Sequence, residues 1–170
     1  MHVSLETLRL HIAYSEWASR RILAAAESLE PGELTRDFET ADKSVLGTLL
    51  HICGGDLVWI ERIDGRSLTA RPYDASADLS WLQQEWPKSW QRYRDYVAKL
   101  DETTAEAPIA YNDFKGNSWK TPAWQVILHA VNHATHHRGQ AAGFLRAMGR
   151  VPPALDLIAY YRALAFAAAR

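Results

Sequence analysis

The chain has 170 residues and a formal net charge of −1, with acidic and basic side chains in nearly equal number. This length suits one domain with a substantial core, so we predict a single domain over residues 1–170. Lysine and arginine are not gathered into a stripe, which argues against binding to nucleic acid or to an anionic membrane. The only cysteine cannot form an internal disulfide, no signal peptide is recognisable and no apolar run reaches the ~18 residues of a membrane span. These features predict a cytoplasmic protein.

The first two helices are marked by hydroxyl caps and by helix-breaking residues beyond their ends. Ser4 is a candidate N-cap for a helix that extends to about Leu29, where apolar residues recur near helical spacing. Residues 32–42 are polar and predict a loop. A second helix is predicted from about Ser44 to Ile63, because Gly65 lies just beyond its end.

The third helical segment and the residues after it leave two structures open. The helix opens near Ser80, with Gln83 placed for a capping box, and reaches about Leu100. Pro87 lies inside it, so we expect either a kink or a start close to the proline. Residues 107–121 combine turn-forming and aromatic residues, which predicts a short hairpin or an irregular loop.

The fourth helix is the longest, and a shorter one follows it. The Thr-Pro pair at 121–122 is typical of a helix start, and the helix is predicted to continue to Met148. Two prolines at 152–153 then favour an extended turn before a last helix over about residues 154–168. Four substantial helices with an additional C-terminal one and little strand predict an all-α four-helix bundle.

Four of the seven histidines lie within nine positions of the fourth helix. Histidine is a weak helix former and an awkward core residue, so this density favours a chemical role. His133 and His137 are one turn apart, and a projection at about 100° per residue turns both toward the core. Two imidazoles at that spacing can bind one metal ion. His129 and His136 project nearer the flank, which leaves His129 as a support for the ligands, a substrate contact or a surface residue.

A catalytic metal needs at least a third ligand, which should come from a facing helix. His51 is the remaining histidine on a predicted central helix, whereas His2 is terminal and His11 has no local partner. His51 projects among small residues, including the glycines at 47, 54 and 55. These residues either leave room for an ion or only let two helices pack closely, and the spacing alone does not decide.

Three other side chains near the histidines have distinct expected roles. Gln140 projects near His129 and His133 and could reach into the same cavity, either as a support for the ligands or as a substrate contact. Arg138 points elsewhere, so we expect a structural role in which it pairs with Asp156 across the Pro-Pro turn. Cys53, on an apolar helix, is expected to be a buried small hydrophobe.

Four segments of the chain, in order, resemble the DinB/YfiT-like family of metal-binding four-helix bundles, which is unrelated to the polymerase that shares the name. Residues 132–140 (NHATHHRGQ) are similar to its most specific motif, and residues 44–52 (SVLGTLLHI) resemble the segment with its first histidine ligand. Residues 17–21 (WASRR) and 152–158 (PPALDLI) look like its first-helix signature and the start of its last helix. The resemblance implies that the metal ligands are His51, His133 and His137. It also implies a divalent ion such as zinc or nickel, and a homodimer.

Three imidazoles leave a coordination position for water or substrate, as in catalytic rather than structural sites. Characterised relatives transfer low-molecular-weight thiols such as bacillithiol or mycothiol, or use them in isomerisation. Our first hypothesis is therefore a metal-dependent thiol S-transferase, or a related enzyme, that acts on a small molecule. Iron or manganese would also suit three histidines.

Two alternative functions stay open. A hydrolase that activates metal-bound water needs a general base, and residues 124–148 contain no Asp or Glu. Asp56 and Glu61 on the second helix are the nearest candidates in sequence. A non-enzymatic stress-response protein would use the metal for stability, but Cys53 projects about 160° from His51 and is a poor fourth ligand.

Overall fold

The structure is a computed structural model that describes residues 3–169, so His2 lies outside the described residues. Within them the chain is mostly helical, which confirms the expected all-α class. The elements are, in chain order, α1 (Leu5–Glu27), α2 (Pro31–Leu34), α3 (Val45–Ile63), α4 (Leu79–Lys99), α5 (Glu102–Glu106), β1 (Pro108–Asn112), β2 (Ser118–Pro122), α6 (Ala123–Ala147) and α7 (Leu157–Ala168).

The four long helices α1, α3, α4 and α6 form the predicted bundle. Helix α6 packs against α1 and α3, and α4 packs against the same two helices, so α4 and α6 lie diagonally across the bundle. Two apolar clusters fill the space between them, one around Leu49 and Trp86 and the other around Leu8 and Ile60. Because α3 and α6 are neighbours, the histidines predicted on these two helices can meet.

The helix starts follow their caps, with one correction. The hydroxyls of Ser4 and Ser44 accept backbone N–H groups at the starts of α1 and α3, as expected. Helix α4 is capped by Asp78, whose carboxylate accepts the backbone N–H of Trp81, so the predicted capping box at Ser80 is wrong. The helix begins well before Pro87 and continues through it.

The segments between the long helices contain more structure than the sequence suggested. The predicted loop over 32–42 begins with the last residues of the short helix α2, and α5 was not foreseen. Strands β1 and β2 form an antiparallel hairpin in which Pro108 pairs with Pro122, which confirms the hairpin alternative. Pro122 therefore belongs to β2 and precedes α6 as its N-cap, so the helix begins one residue later than expected.

Arg138 has a structural role, but its partners differ from the prediction. It is 1% exposed and donates hydrogen bonds to the backbone carbonyl and hydroxyl of Ser15 and to the hydroxyl of Ser19. Burial lowers the pKa of Arg138, and the carboxylate whose charge opposes this effect is that of Asp56 and not that of Asp156. Arg138 thus links α6 to α1, and the predicted pairing across the Pro-Pro turn is wrong.

The last helix begins at Leu157, a few residues later than expected, and packs against α1. Several of its apolar side chains stay exposed, among them Ile158 and Phe166. None of the helices formed by residues 3–169 is both long and apolar enough to cross a lipid bilayer.

Candidate metal centre

His51 on α3 meets His133 and His137 on α6 at the contact between the two helices. The ring centroid of His51 is 5.0 Å from that of His133 and 4.2 Å from that of His137. The rings of His133 and His137 are 4.6 Å apart, as expected for residues one turn apart. One nitrogen from each ring lies within 4.8 Å of the other two, so the three residues could hold a metal ion.

The donor atoms of this trio fit a divalent ion. Nε2 of His51 and Nε2 of His133 are 3.0 Å apart. Two imidazoles bound to a tetrahedral zinc at about 2.0–2.1 Å would place their nitrogens about 3.3 Å apart, so only a small adjustment is needed. Three nitrogen donors suit zinc and nickel as well as other borderline ions.

The surroundings of His51 and His133 favour the neutral form that a metal requires. Burial lowers the pKa of His133 to about 3, and the charges that the neighbouring imidazoles would carry act in the same direction. Burial also lowers the pKa of His51, against the opposing effect of Asp42. At neutral pH both rings therefore offer a lone pair to an ion without first losing a proton.

Asp42 is the residue near this trio that sequence reasoning missed. Its Oδ1 lies 3.3 Å from Nδ1 of His51 and its Oδ2 lies 3.5 Å from Nδ1 of His137. Nδ1 of His137 also donates a 2.6 Å hydrogen bond to Oε1 of Gln140, so Gln140 contacts His137 rather than His129 or His133. With Nδ1 of His51 turned toward Asp42, its Nε2 is the atom that faces His133.

Two glycines on α3 have separate and specific reasons to lack a side chain. A Cβ on Gly47 would collide with the backbone carbonyl oxygen of Asp42, so Gly47 allows the loop to approach the helix. A Cβ on Gly55 would lie 2.7 Å from Cε1 of His133. Close packing against this face of α3 is therefore confirmed, whereas room for an ion among these small residues stays a prediction. Gly54 instead faces the ring of Tyr73.

His133 is held by packing rather than by a hydrogen bond on its outer side. Its Nδ1 is buried and has no hydrogen-bond partner among residues 3–169. Most metal-binding histidines donate this second N–H to a carbonyl or a carboxylate. The ring of His133 is instead placed by the neighbouring rings of His51, His129 and His137 and by the space that Gly55 leaves open beside it.

The two flanking histidines of α6 lie outside the trio. The ring of His129 is 6.0 Å from that of His133 and packs edge-on against Trp59 at 4.7 Å. Burial and the charge of Arg62 lower the pKa of His129. His136 is exposed and packs edge-on against the ring of His137 at 4.8 Å.

A cleft with a volume of about 320 Å³ reaches the trio from one side. His51 and His133 line it together with His129, and aromatic residues form much of the wall. The other aromatic and charged residues of the lining are Trp59, Tyr73, Phe114, Arg62, Arg71 and Asp113. This volume is at the lower end of the range for small-molecule sites, so the cleft suits a small ligand.

The two carboxylates named from the sequence as nearest candidate bases have other partners. Asp56 is buried on the bundle side of α3, where its Oδ2 accepts a hydrogen bond from Nε1 of Trp86. Glu61 forms ion pairs with Arg66 and Arg92. Neither residue lines the cleft.

The fold and the site define a helical-bundle protein whose three-histidine cluster could hold a metal ion. The chain belongs to the DinB family, since the model of that family matches residues 1–165. The resemblance noted in the sequence is thereby confirmed at the level of the family.

The proteins that are similar to this chain include the following two. "Protein DinB" of Bacillus subtilis (strain 168) is 25% identical over 146 residues, which cover 80% of this chain and 83% of that protein. A crystal structure of a conserved protein from Enterococcus faecalis has a TM-score of 0.60 and 16% identity, and the match covers 81% of this chain and 94% of that one. At this identity the second likeness concerns the fold alone.

Proposed function

We propose that this protein is a metal-dependent thiol S-transferase, or a closely related enzyme, that acts on a small molecule. The observation that carries the proposal is the convergence of three imidazoles, two of them with lowered pKa values, beside a cleft of ligand size. His51, His133 and His137 would hold a divalent ion, with zinc and nickel as the first candidates. Three protein ligands leave room for an exogenous group to bind.

A divalent ion in this position would lower the pKa of a bound thiol, so that the nucleophilic thiolate is abundant at neutral pH. The chain itself then has three tasks, which are to orient the ligands, to bind the substrate and to limit access of water. Asp42 and Gln140 hold the outer nitrogens of His51 and His137. Trp59 and His129 form an adjoining surface that a substrate would contact.

The thiol reaction is favoured over hydrolysis by the state of the nearby carboxylates. Hydrolysis requires a base beside the metal-bound water. Asp42 faces the Nδ1 atoms, which are on the opposite side of each ring from Nε2. Asp113, on the cleft wall, accepts hydrogen bonds from Asn117 and Trp119, which lower the pKa of its carboxyl to about 2. A thiolate needs no such base for its attack.

Thiol binding can be tested directly on protein loaded with cobalt(II), because a cobalt–thiolate bond gives an intense charge-transfer absorption. We expect this absorption to develop when a low-molecular-weight thiol is titrated into the wild-type protein. It should be absent in His133→Ala and retained in His136→Ala, which removes an exposed histidine of the same helix. Cobalt binding without any thiolate absorption would overturn the proposal.

We also propose that the protein is a homodimer in the cytoplasm, where reduced thiols are abundant. The support for the dimer is the apolar surface of α7, on which Ile158 is 53% exposed and Phe166 is 74% exposed. Analytical ultracentrifugation should give a dimer for the wild-type protein and a monomer for the Ile158→Glu/Phe166→Glu variant. A monomeric wild-type protein at micromolar concentration would contradict this proposal.

A further inference from the structure

Arg62 is a buried cation that has no part in the proposed metal site. It lies in the last turn of α3, is only 6% exposed and lines the same cleft as His51 and His133. Its Nη2 donates one long hydrogen bond, 3.3 Å, to the backbone carbonyl of Asn112. Its Nε is buried without a hydrogen-bond partner among residues 3–169. A guanidinium removed from water normally needs more compensation than this.

No carboxylate of the described chain forms an ion pair with Arg62. Glu61 and Asp64, its neighbours in sequence, pair with Arg66 and Arg92 instead. Among residues 3–169, the carboxylate that lines the cleft is that of Asp113, which accepts hydrogen bonds within the hairpin. The positive charge of Arg62 therefore faces the cleft without an ion pair among residues 3–169. Burial lowers its pKa, and the charge of Asp113 opposes this effect only from beyond ion-pair distance.

Aromatic rings hold the guanidinium of Arg62 in place. Its Cζ lies 4.4 Å from the ring centre of Trp59, 4.7 Å from that of Tyr111 and 5.8 Å from that of Phe114. Such contacts orient a guanidinium and offset part of its desolvation, but they leave its hydrogen-bonding edge available. Arg71, on the same cleft, adds a second positive charge, although it is exposed.

We propose that Arg62 binds a carboxylate of the substrate thiol, so that the cleft selects anionic low-molecular-weight thiols over neutral ones. The assignment rests on the proposed function, because it places the sulfur of the thiol at the histidine trio and its carboxylate at Arg62 in the same cleft. Arginine suits this task because its planar donors match the two oxygens of a carboxylate.

The test uses cobalt-loaded protein and pairs of probes that differ only in charge. Mercaptoacetate, mercaptopropionate and mercaptobutyrate cover a range of lengths, and the amide of each is its neutral partner. The affinity of each probe is measured from the thiolate absorption in wild type, Arg62→Gln, Arg62→Lys and Arg66→Gln. Arg66→Gln is the matched control, since Arg66 is an exposed arginine outside the cleft that pairs with Glu61 and Asp64.

In the wild-type protein, the best carboxylate should bind roughly tenfold or more tightly than its amide, as expected for a hydrogen-bonded charge. Arg62→Gln should remove this preference without weakening the amide, Arg62→Lys should keep part of it, and Arg66→Gln should keep all of it. Should the Arg62 variants fail to fold, equal affinity of the wild-type protein for acids and amides would still overturn the proposal. Equal affinity for acids and amides, or a preference that survives in folded Arg62→Gln, would overturn the role of Arg62 alone. The absence of thiolate absorption with every probe would overturn the proposed function and this assignment with it.

Discussion

Oδ1 of Asp42 lies 3.3 Å from Nδ1 of His51, so a residue of the loop before α3 supports a histidine of the helix itself. The second oxygen of the same carboxylate faces His137 on α6. The carboxylate of Asp42 thus contacts a histidine on each of the two helices that would share the metal. Carboxylates in this position fix the tautomer of a ligand histidine and raise its basicity.

Replacing this carboxylate should weaken metal binding without unfolding the bundle. In Asp42→Asn we expect the zinc affinity to fall by about 10- to 100-fold, as is typical for residues that support metal ligands. The measurement is a competition titration against a chromophoric chelator. Asp37→Asn is the matched control, because Asp37 lies in the same loop but its carboxylate caps the backbone N–H of Glu39. An unchanged affinity in Asp42→Asn would show that its contacts with the histidines have no effect on the ion.

A methyl group on Gly55 should displace the ring of His133. The new Cβ would lie 2.7 Å from Cε1 of His133, so the imidazole must move. No hydrogen bond from a residue within 3–169 to Nδ1 of His133 opposes this movement. We expect Gly55→Ala to lower zinc affinity at least tenfold while the far-ultraviolet circular dichroism stays helical.

Gly143→Ala provides the control for this substitution. Gly143 lies on α6 in open space, so the change should stabilise the helix by about 0.5–1 kcal/mol and leave the metal affinity unchanged. If Gly55→Ala bound zinc as tightly as Gly143→Ala, the close approach of the two helices would have no part in shaping the site.

Much of the fold and part of the site could be predicted from the sequence, because they depend on local patterns. Ser4 and Ser44 begin their helices since a hydroxyl satisfies backbone N–H groups whatever the tertiary structure. His133 and His137 share a helix face by spacing alone. The helix projection gave only weak support for placing His51 beside them, and the prediction that His51 belongs to the site came from the family resemblance. That the three residues bind a metal stays a prediction.

The contacts of Asp42, Arg138 and Arg62 were missed because they depend on how the chain folds back on itself and not on a local sequence pattern. Asp42 lies in a loop, and only its approach to Gly47 brings its carboxylate toward the histidines. The partners of Arg138 are on α1, more than a hundred residues away in sequence. Arg62 looks like an ordinary last-turn cation until the hairpin carbonyl of Asn112 and the aromatic rings cover it.

The buried carboxyl of Asp56 should make stability depend on pH. Burial raises its pKa from 3.8 to about 7, although the hydrogen bond from Trp86 acts in the opposite direction. Between these two pH values the folded protein binds a proton that the unfolded chain does not, so the free energy of unfolding falls as the pH rises through this range. The full loss is reached above pH 7 and amounts to at most about 4 kcal/mol.

Chemical denaturation of metal-free protein at pH 5 and at pH 8 checks this expectation. Asp56→Asn keeps an acceptor for Trp86 and cannot ionise, so it should lose less stability between these two pH values than the wild-type protein. Glu102→Gln, which removes a charge from the exposed first turn of α5, gives the effect of net charge alone. A wild-type loss no larger than that of Asp56→Asn would mean that Asp56 stays ionised in the fold.

The measurement that tests the account most directly is the metal content of the purified, untagged protein and of three single variants. Elemental analysis should find about one divalent ion per chain in the wild-type protein, and none in His51→Ala or His133→Ala. His136→Ala, which alters an exposed histidine next to the trio, should keep the full content. Wild-type content in either of the first two variants, or no binding of zinc or nickel by the native protein, would contradict a metal centre at His51, His133 and His137.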